Sequence, residues 1–261
     1  MLQEKMTIVS QKSLAPRIFE MKLQGDLVQE MNKAGQFIHI KVPSEDKVLR
    51  RPISLAKIDK KTNSCTIIYR VEGGGTAIFS KMKAGDTLDV LGPLGNGFDT
   101  SVVESGQTAL VIGGGIGTPP MYELSRQLKE KGVQVIHLIG FASRDVMFYQ
   151  DKFLSLGETH FSTDDGSFGL HGHVGLLIDD LLAKGIKPDA VYACGANGLL
   201  KAVDEKFAQH PNAYISMEAR MACGMGACYA CVVHVVGDET GASSLKVCDQ
   251  GPVFETGRVV V

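Results

Sequence analysis

The chain carries six cysteines, and four of them are spaced as a metal centre requires. Cys223, Cys228 and Cys231 form a C-x4-C-x2-C run, and Cys248 follows after sixteen further residues. Gly224, Gly226, Ala227 and Ala230 lie between and beside the first three. Residues this small let a loop wrap tightly, and let backbone N–H groups reach the sulfurs to stabilise negative charge and tune a reduction potential. Three thiolates on one tight loop and a fourth from elsewhere suit a compact 2Fe-2S cluster. A structural zinc site would more naturally read as two C-x2-C pairs, and only Cys228 and Cys231 form one. Disulfides are disfavoured because Met1 to Ser10 lacks the basic start and apolar run of a secretory signal, so the thiols are expected in a reducing cytoplasm.

Three further stretches could bind a nucleotide cofactor. Arg51-Pro52-Ile53-Ser54 puts a guanidinium and a hydroxyl on one strand, Arg51 to pair with a phosphate and Ser54 to bond a ring or ribose atom. Glu72-Gly73-Gly74-Gly75-Thr76 lies between a strand and a short helix expected from Thr76 to Met82, where exposed N–H groups can hold a pyrophosphate. Taken singly, each is better read as a solvated charge or an ordinary turn, and it is their occurrence together upstream of the third stretch that favours a cofactor. The third stretch, Gly113-Gly114-Gly115-Ile116-Gly117-Thr118-Pro119-Pro120, follows the apolar strand Thr108–Ile112 and opens a helix with Met121, Leu124 and Leu128 on one face. Glycines in that context mark a dinucleotide phosphate site.

The elements that would position these residues fall into two textures. Residues 6 to about 92 alternate short β-rich segments (Thr7–Val9, Ile18–Leu23, Phe37–Val42, Thr66–Val71, Thr87–Leu91) with turns, which predicts a small antiparallel barrel. From Thr108 the pattern becomes strand then helix: Val133–Gly140, a helix at 148–156, Thr159–Ser162, a helix at 174–183, Ala190–Ala193, and a helix to about Gln209. Leu199, Ala202, Val203 and Phe207 are expected to be the buried stripe of that last helix. Such units build a doubly wound parallel sheet whose ligands bind beyond the C-terminal strand ends, where Gly113–Thr118 and Cys194-Gly195 fall. Residues 1–100, 101–215 and 216–261 are thus expected as an antiparallel β-barrel domain, a dinucleotide-binding α/β domain and a small 2Fe-2S module. Strands are expected in the module at 230–236, 245–247 and 258–261.

Composition bounds the function. At 261 residues, 44% hydrophobic and 21% charged, the chain suits two domains plus a small module. A net charge of -2 without a long basic run argues against nucleic acid as partner. No apolar stretch approaches the roughly 20 residues of a membrane helix.

The order Arg51–Ser54, Gly75-Thr76, Gly113–Gly117 and Cys194-Gly195 resembles the ferredoxin reductase superfamily. The stretch Ser216–Cys231 is similar to the iron–sulfur loop of the electron-transfer subunits of bacterial class 1B dihydroorotate dehydrogenases. The resemblance covers essentially the whole chain. It implies that the barrel domain is FAD-binding and the α/β domain NAD-binding, that Arg51, Pro52, Ile53, Ser54, Ile68, Tyr69, Arg70, Gly75 and Thr76 contact FAD, and that Cys223, Cys228, Cys231 and Cys248 ligate the cluster. NAD would lie near Gly113, Gly114, Gly115, Gly117, Thr118, Cys194 and Gly195; the choice over NADP rests on the resemblance, since Gly140–Asp145 lacks a clear acidic ribose ligand and Arg144 could meet a 2′-phosphate. No dihydroorotate-oxidising site is legible. The resemblance implies an FMN-containing catalytic partner subunit, two of each in a heterotetramer, with electrons passing from FMN through the cluster and FAD to NAD+ in pyrimidine biosynthesis. Related subunits of an NADH-dependent ferredoxin:NADP oxidoreductase or a sulfide dehydrogenase are the alternative. More than sixty residues follow Gly195 where many superfamily members end on an aromatic residue, so the flavin's outer face is expected to be covered differently here.

Other residues are expected to be plain: His171 and His173 in a loop, Asp164 and Asp165 in a turn, Cys65 in strand packing. Met217, Met221 and Met225 could pack internally or cushion a partner.

Overall fold

The computed structural model describes residues 1–261. Six strands, β1 (Leu2–Ala15), β2 (Ile18–Gln24), β3 (Phe37–Ile40), β4 (Arg51–Asp59), β5 (Ser64–Arg70) and β6 (Thr87–Leu94), close an antiparallel barrel in the order β1-β2-β5-β4-β3-β6. Inward positions recur with period two: Met6 and Ile8, Met21 and Leu23, Ile38 and Ile40, Leu88 and Val90 share one core. β1 is far longer than the expected Thr7–Val9. Its first half pairs with β6 and its second half with β2, so its exposed polar residues, which hid it from pattern reading, lie on the outer face. A short helix α1 spans Gly74–Phe79, starting two residues before and ending three before the expected Thr76–Met82.

The second half builds β7 (Thr108–Gly114), α2 (Thr118–Glu130), β8 (Gln134–Phe141), α3 (Gln150–Leu154), β9 (Glu158–Thr163), β10 (Leu170–His171), α4 (Val174–Ala183), β11 (Ala190–Cys194), α5 (Asn197–Phe207) and β12 (Ala213–Ser216). The tail adds β13 (Val232–His234) paired with β14 (Ser244–Lys246), then β15 (Val253–Glu255). The main sheet runs β10-β9-β8-β7-β11-β12-β15. All its neighbours are parallel except the β12–β15 edge pair.

Alternation along the central strands separates two cores. Leu110, Ile112, Ile136 and Leu138 meet α4 and α5 on one face, while Val111, Val135 and Ile139 meet α2 and α3 on the other. This is the expected doubly wound arrangement.

Two expectations need correction. On α5 the buried stripe is Leu200, Val203 and Phe207; Leu199 and Ala202 are only half-buried and turn toward a cleft. In the tail, no strand covers 258–261, where only Val259 bridges Val235. β15 instead returns beside β12, with Ile215 opposite Phe254. Val247, Phe254 and Val259 therefore share a core with α4 and α5, so packing as well as any metal centre holds the tail.

The barrel and the α/β layer are joined by buried polar contacts. Glu123 of α2, 3% exposed, accepts from the Ile58 amide at 3.1 Å and from Arg126 at 2.7 Å. On β2, Glu20 accepts from the Tyr149 hydroxyl and pairs with Lys12 at 3.1 Å and Lys152 at 3.5 Å. Burial opposes ionisation of Glu20, but Tyr149, Lys12 and Lys152 together outweigh it and hold the carboxyl below its ordinary 4.5. A depressed carboxyl pKa contributes stability that is present above about 4.5 and lost as pH falls through the folded-state value. Denaturant melts on either side of that pH should show a shallower acid loss for Glu20→Gln than for the wild type.

Candidate functional site

A cleft of about 1330 Å³ opens between the barrel and the C-terminal ends of the parallel strands. It exceeds the roughly 300–1,000 Å³ of drug-sized sites, as two nucleotides side by side require. Its barrel wall is Arg51, Pro52, Ile53 and Ser54 of β4, Ile68, Tyr69 and Arg70 of β5, and Thr76 of α1. Opposite lie Gly114, Gly115 and Gly117 at the end of β7, with Cys194 and Gly195 at the end of β11. Gly75, Gly113 and Thr118 stand behind this lining rather than in it. Gly75 stands close to Arg51: an added Cβ would sit 2.7 Å from its Nε and displace the guanidinium.

Two adjacent arginines have different roles. Arg50 is structural: it pairs with Asp89 at 2.8 Å and donates to the His39 and Asp89 carbonyls. Arg51 has no carboxylate partner and bonds only the carbonyls of Leu49, at 2.6 Å, and Arg50, at 3.3 Å. Its charge is thus available to an anion in the cleft, the property a dinucleotide pyrophosphate needs.

The glycines after β7 are dictated by closeness. A Cβ at Gly117 would lie 2.5 Å from the Cys194 carbonyl oxygen, and one at Gly114 would lie 2.5 Å from Leu199 Cδ1. Gly115 takes φ +51° with open space around it. Only glycine lets the start of α2 approach the end of β11 this tightly. Gly117→Ala should force these apart, costing about 1–3 kcal/mol by overpacking and weakening nucleotide binding in the same cleft, measured by denaturant melts and by nucleotide titration. The Thr118 hydroxyl is buried without a partner. Cys194 is held as a thiol, pushed up to about 12 by burial although a Ser216 hydrogen bond partly offsets it.

The tail cysteines lie in two neighbouring pairs, Cys223 with Cys228 and Cys231 with Cys248, and no three of them close to metal-ligating geometry. The Met225 amide donates to Cys223 Sγ at 3.4 Å, Gly226 N–H to Cys248 Sγ at 3.1 Å, and Cys248 N–H to Cys231 Sγ at 3.4 Å. Burial works against the Cys223 thiolate, yet hydrogen bonds from Met225, Cys228 and Ala227 prevail and bring its pKa below the ordinary value. Burial, then the Cys231 sulfur, raise that of Cys248. Backbone donors aimed at clustered thiols, with left-handed Gly224 (φ +73°) and Gly226 (φ +80°) turning the loop, fit a 2Fe-2S group. The site has a wet and a dry edge: Cys228 is exposed, Cys231 and Cys248 are buried.

The dry edge adjoins the cleft. Phe37, Met217 and Met221 belong to the same hydrophobic core as Cys231 and Cys248 and also line the cleft. The segment Ser216–Met221 and Pro252 close the side that Arg51 and Gly117 leave open. Met217 and Met221 are therefore packing residues, whereas Met225, 45% exposed, and Tyr229 are surface residues of the cysteine loop. His171 is exposed on β10 and His173 precedes α4. Asp165 accepts from Ser167 in a turn, and Cys65 is buried in β5.

Sequence reasoning missed Leu199, Ala202, Met217 and Met221 as cleft residues, and missed His39. His39 lies on β3 between inward-facing Ile38 and Ile40, where alternation predicts a solvated side chain. It is instead fully buried against the cysteine loop, and neither ring nitrogen has a hydrogen-bond partner. Burial first, with the Arg50 and Arg51 charges adding to it, lowers its pKa against the opposing pull of the Arg50 and Cys223 backbone.

Comparison with known proteins agrees with this geometry. Residues 3–98 match the oxidoreductase FAD-binding domain family, and residues 218–260 match the iron–sulfur cluster binding domain of dihydroorotate dehydrogenase B. The chain is 63% identical over 259 residues to the dihydroorotate dehydrogenase B (NAD+) electron transfer subunit of Enterococcus faecalis, covering 99% of this chain and 98% of the relative. It is 50% identical to the Bacillus caldolyticus subunit of the same name, covering 99% of each. Among solved structures, a chain of an NADH-dependent reduced ferredoxin-NADP oxidoreductase superposes with TM-score 0.86 at 27% identity, covering 98% of this chain and 90% of the other. A Neisseria gonorrhoeae ferredoxin NADP+ reductase shares the fold alone, with TM-score 0.67 at 16% identity over 84% of this chain and 94% of that one.

Proposed function

We propose, on the premise that this chain belongs to the family of electron transfer subunits of dihydroorotate dehydrogenase B (NAD+), that it links an FMN-containing catalytic subunit to NAD+ in the oxidation of dihydroorotate. The observation that carries this reading is that Phe37, Met217 and Met221 line the cleft and belong to the same core as Cys231 and Cys248. Bound FAD supplies the link in electron number, exchanging hydride with nicotinamide and single electrons with a 2Fe-2S cluster.

The chain's own residues bind and orient. Arg51 neutralises the FAD pyrophosphate beside Gly75 and Thr76, while Ser54, Ile68, Tyr69 and Arg70 hold the rest of the cofactor against the barrel. Gly113–Thr118 and Cys194-Gly195 receive NAD, and neutral Cys194 adds no charge there. Ser216–Met221 cover the flavin where other members of the superfamily use a terminal aromatic residue. Cys223, Cys228, Cys231 and Cys248 ligate the cluster, and Phe37, Met217 and Met221 keep water out of the space between the two sites. The exposed Cys228 edge, with Met225 and Tyr229, faces the catalytic subunit in a cytoplasmic complex of two subunits of each kind.

The relatives at 50–63% identity favour this over the ferredoxin-NADP oxidoreductase reading, which rests on 27% identity. Co-expression with the FMN subunit tests it. Dihydroorotate-dependent NADH formation by a complex of equal subunit numbers is the expected result; failure to co-purify, or ferredoxin-dependent NADPH turnover in its place, would overturn it.

A further inference from the structure

We propose that His39 is a positioning residue that hydrogen-bonds the Cys223–Gly224 segment through Nδ1–H and thereby sets the reduction potential of the cluster relative to the flavin. This rests on the reading of the four tail cysteines as cluster ligands.

Three observations converge on the imidazole. First, β3 directs Ile38 and Ile40 into the barrel and Phe37 and His39 out of it. The outward face would meet water in a free barrel, but here the tail covers it: Phe37 joins the core of Cys231 and Cys248, and His39 is 0% exposed. Beside an apolar core a purely space-filling residue would be apolar too, because an unpartnered buried polar group is destabilising. Second, neither His39 ring nitrogen closes a full hydrogen bond, which places His39 among only three side chains with such atoms in the whole chain, and the Cys223 backbone is among the groups acting on its ring. Third, the Nδ1 edge faces the cysteine loop. An added Cβ on Gly224 would fall 2.5 Å from Nδ1, so glycine is required there by the ring as well as by its φ of +73°.

The backbone of His39 also belongs to the strand pair that forms the cleft wall. His39 is the register partner of Pro52, and its carbonyl accepts from Arg50. One side chain thus touches the loop whose amides donate to Cys223 and Cys248, while its backbone belongs to the strand pair presenting Arg51 to Ser54. An imidazole N–H donating to the Cys223 carbonyl fixes the peptide that aims the Met225 amide at Cys223 Sγ. Such donors stabilise the more negative, reduced cluster. Losing the tether therefore lowers the potential.

The test uses the full chain with both cofactors, first shown by iron and sulfide analysis to carry the cluster. Failure at that step refutes the ligand reading, not the role of His39. EPR-monitored redox titration is then applied to wild type, His39→Leu, His39→Asn and His39→Gln. Asparagine places an amide N–H near the position of Nδ1; glutamine and leucine do not. His39→Leu and His39→Gln are expected to shift the cluster potential downward by about 59 mV or more, tenfold in a one-electron equilibrium constant, with the FAD potential unchanged and His39→Asn restored toward wild type. Equal potentials in all four proteins, or an equal shift in Asn, Gln and Leu variants, would overturn the proposal. Should His39→Leu not fold, the Asn and Gln pair decides alone: a difference supports the tether and equality refutes it.

Discussion

Cys248→Ser is expected to abolish cluster binding and, with it, more than 99% of dihydroorotate-dependent NADH formation, a loss of at least ~100-fold on the scale at which even outer-shell partners of a metal site cost ~10–100-fold. Cys248 is 2% exposed, accepts from the Gly226 amide and lends its own amide to Cys231. Serine at this position leaves a hard, protonated oxygen where a buried thiolate ligand is needed. The flavin should remain, since Arg51, Ser54 and Thr76 lie on other elements, and NADH should still bleach it. Proteolysis should begin in the tail, whose small sheet β13–β14 loses its anchor. A variant that keeps iron, sulfide and full turnover would remove Cys248 from the ligand set.

Arg51→Ala is expected to raise the FAD dissociation constant by ~10–100-fold, equivalent to the roughly 1.5–3 kcal/mol of hydrogen bonds to a charged group. Thermal stability of the FAD-free chain should barely change, because Arg51 bonds only two nearby carbonyls. Arg50→Ala is the informative contrast. It removes the ion pair to Asp89 and two hydrogen bonds to carbonyls, although Gln3 still donates to that carboxylate, so stability should fall while any effect on FAD follows from that loss. Arg51→Lys should recover only part of the affinity, since a lysine keeps the charge and loses the planar fork. Fluorescence of released FAD measures all three.

The parts of the site that were legible in the sequence are those where chemistry is local. The C-x4-C-x2-C run needs no tertiary information, and Gly113–Thr118 announces itself by following one apolar strand and opening one periodic helix. Arg51 and Arg50 could be flagged together, but only Asp89, 39 residues away, distinguishes the structural arginine from the free one. Leu199 and Leu200 are equally apolar, and either suits a helical stripe; the packing of Gly114 and Gly195 against Leu199 turns it to the cleft.

The tail was the least legible. Ala213–Ser216 and Val253–Glu255 are too short to signal a strand, and their antiparallel pairing depends on a chain reversal through the whole cysteine loop. With that reversal hidden, the burial of His39 and Phe37 was hidden too, since their strand faces outward in the barrel alone. Long-range coverage of a strand's polar face is the kind of event that periodicity within one segment cannot register.

The central claim is that the cysteine site and the cleft share one hydrophobic core, through Phe37, Met217 and Met221, so that reducing equivalents entering from NADH reach the iron. Rapid mixing of anaerobic, cofactor-complete chain with NADH, followed by freeze-quench EPR, tests it most directly. The account predicts a rhombic reduced-cluster signal that forms without any partner subunit and disappears when FAD is removed. A flavin that bleaches under NADH while the cluster stays oxidised, at a potential where it should accept an electron, would contradict it.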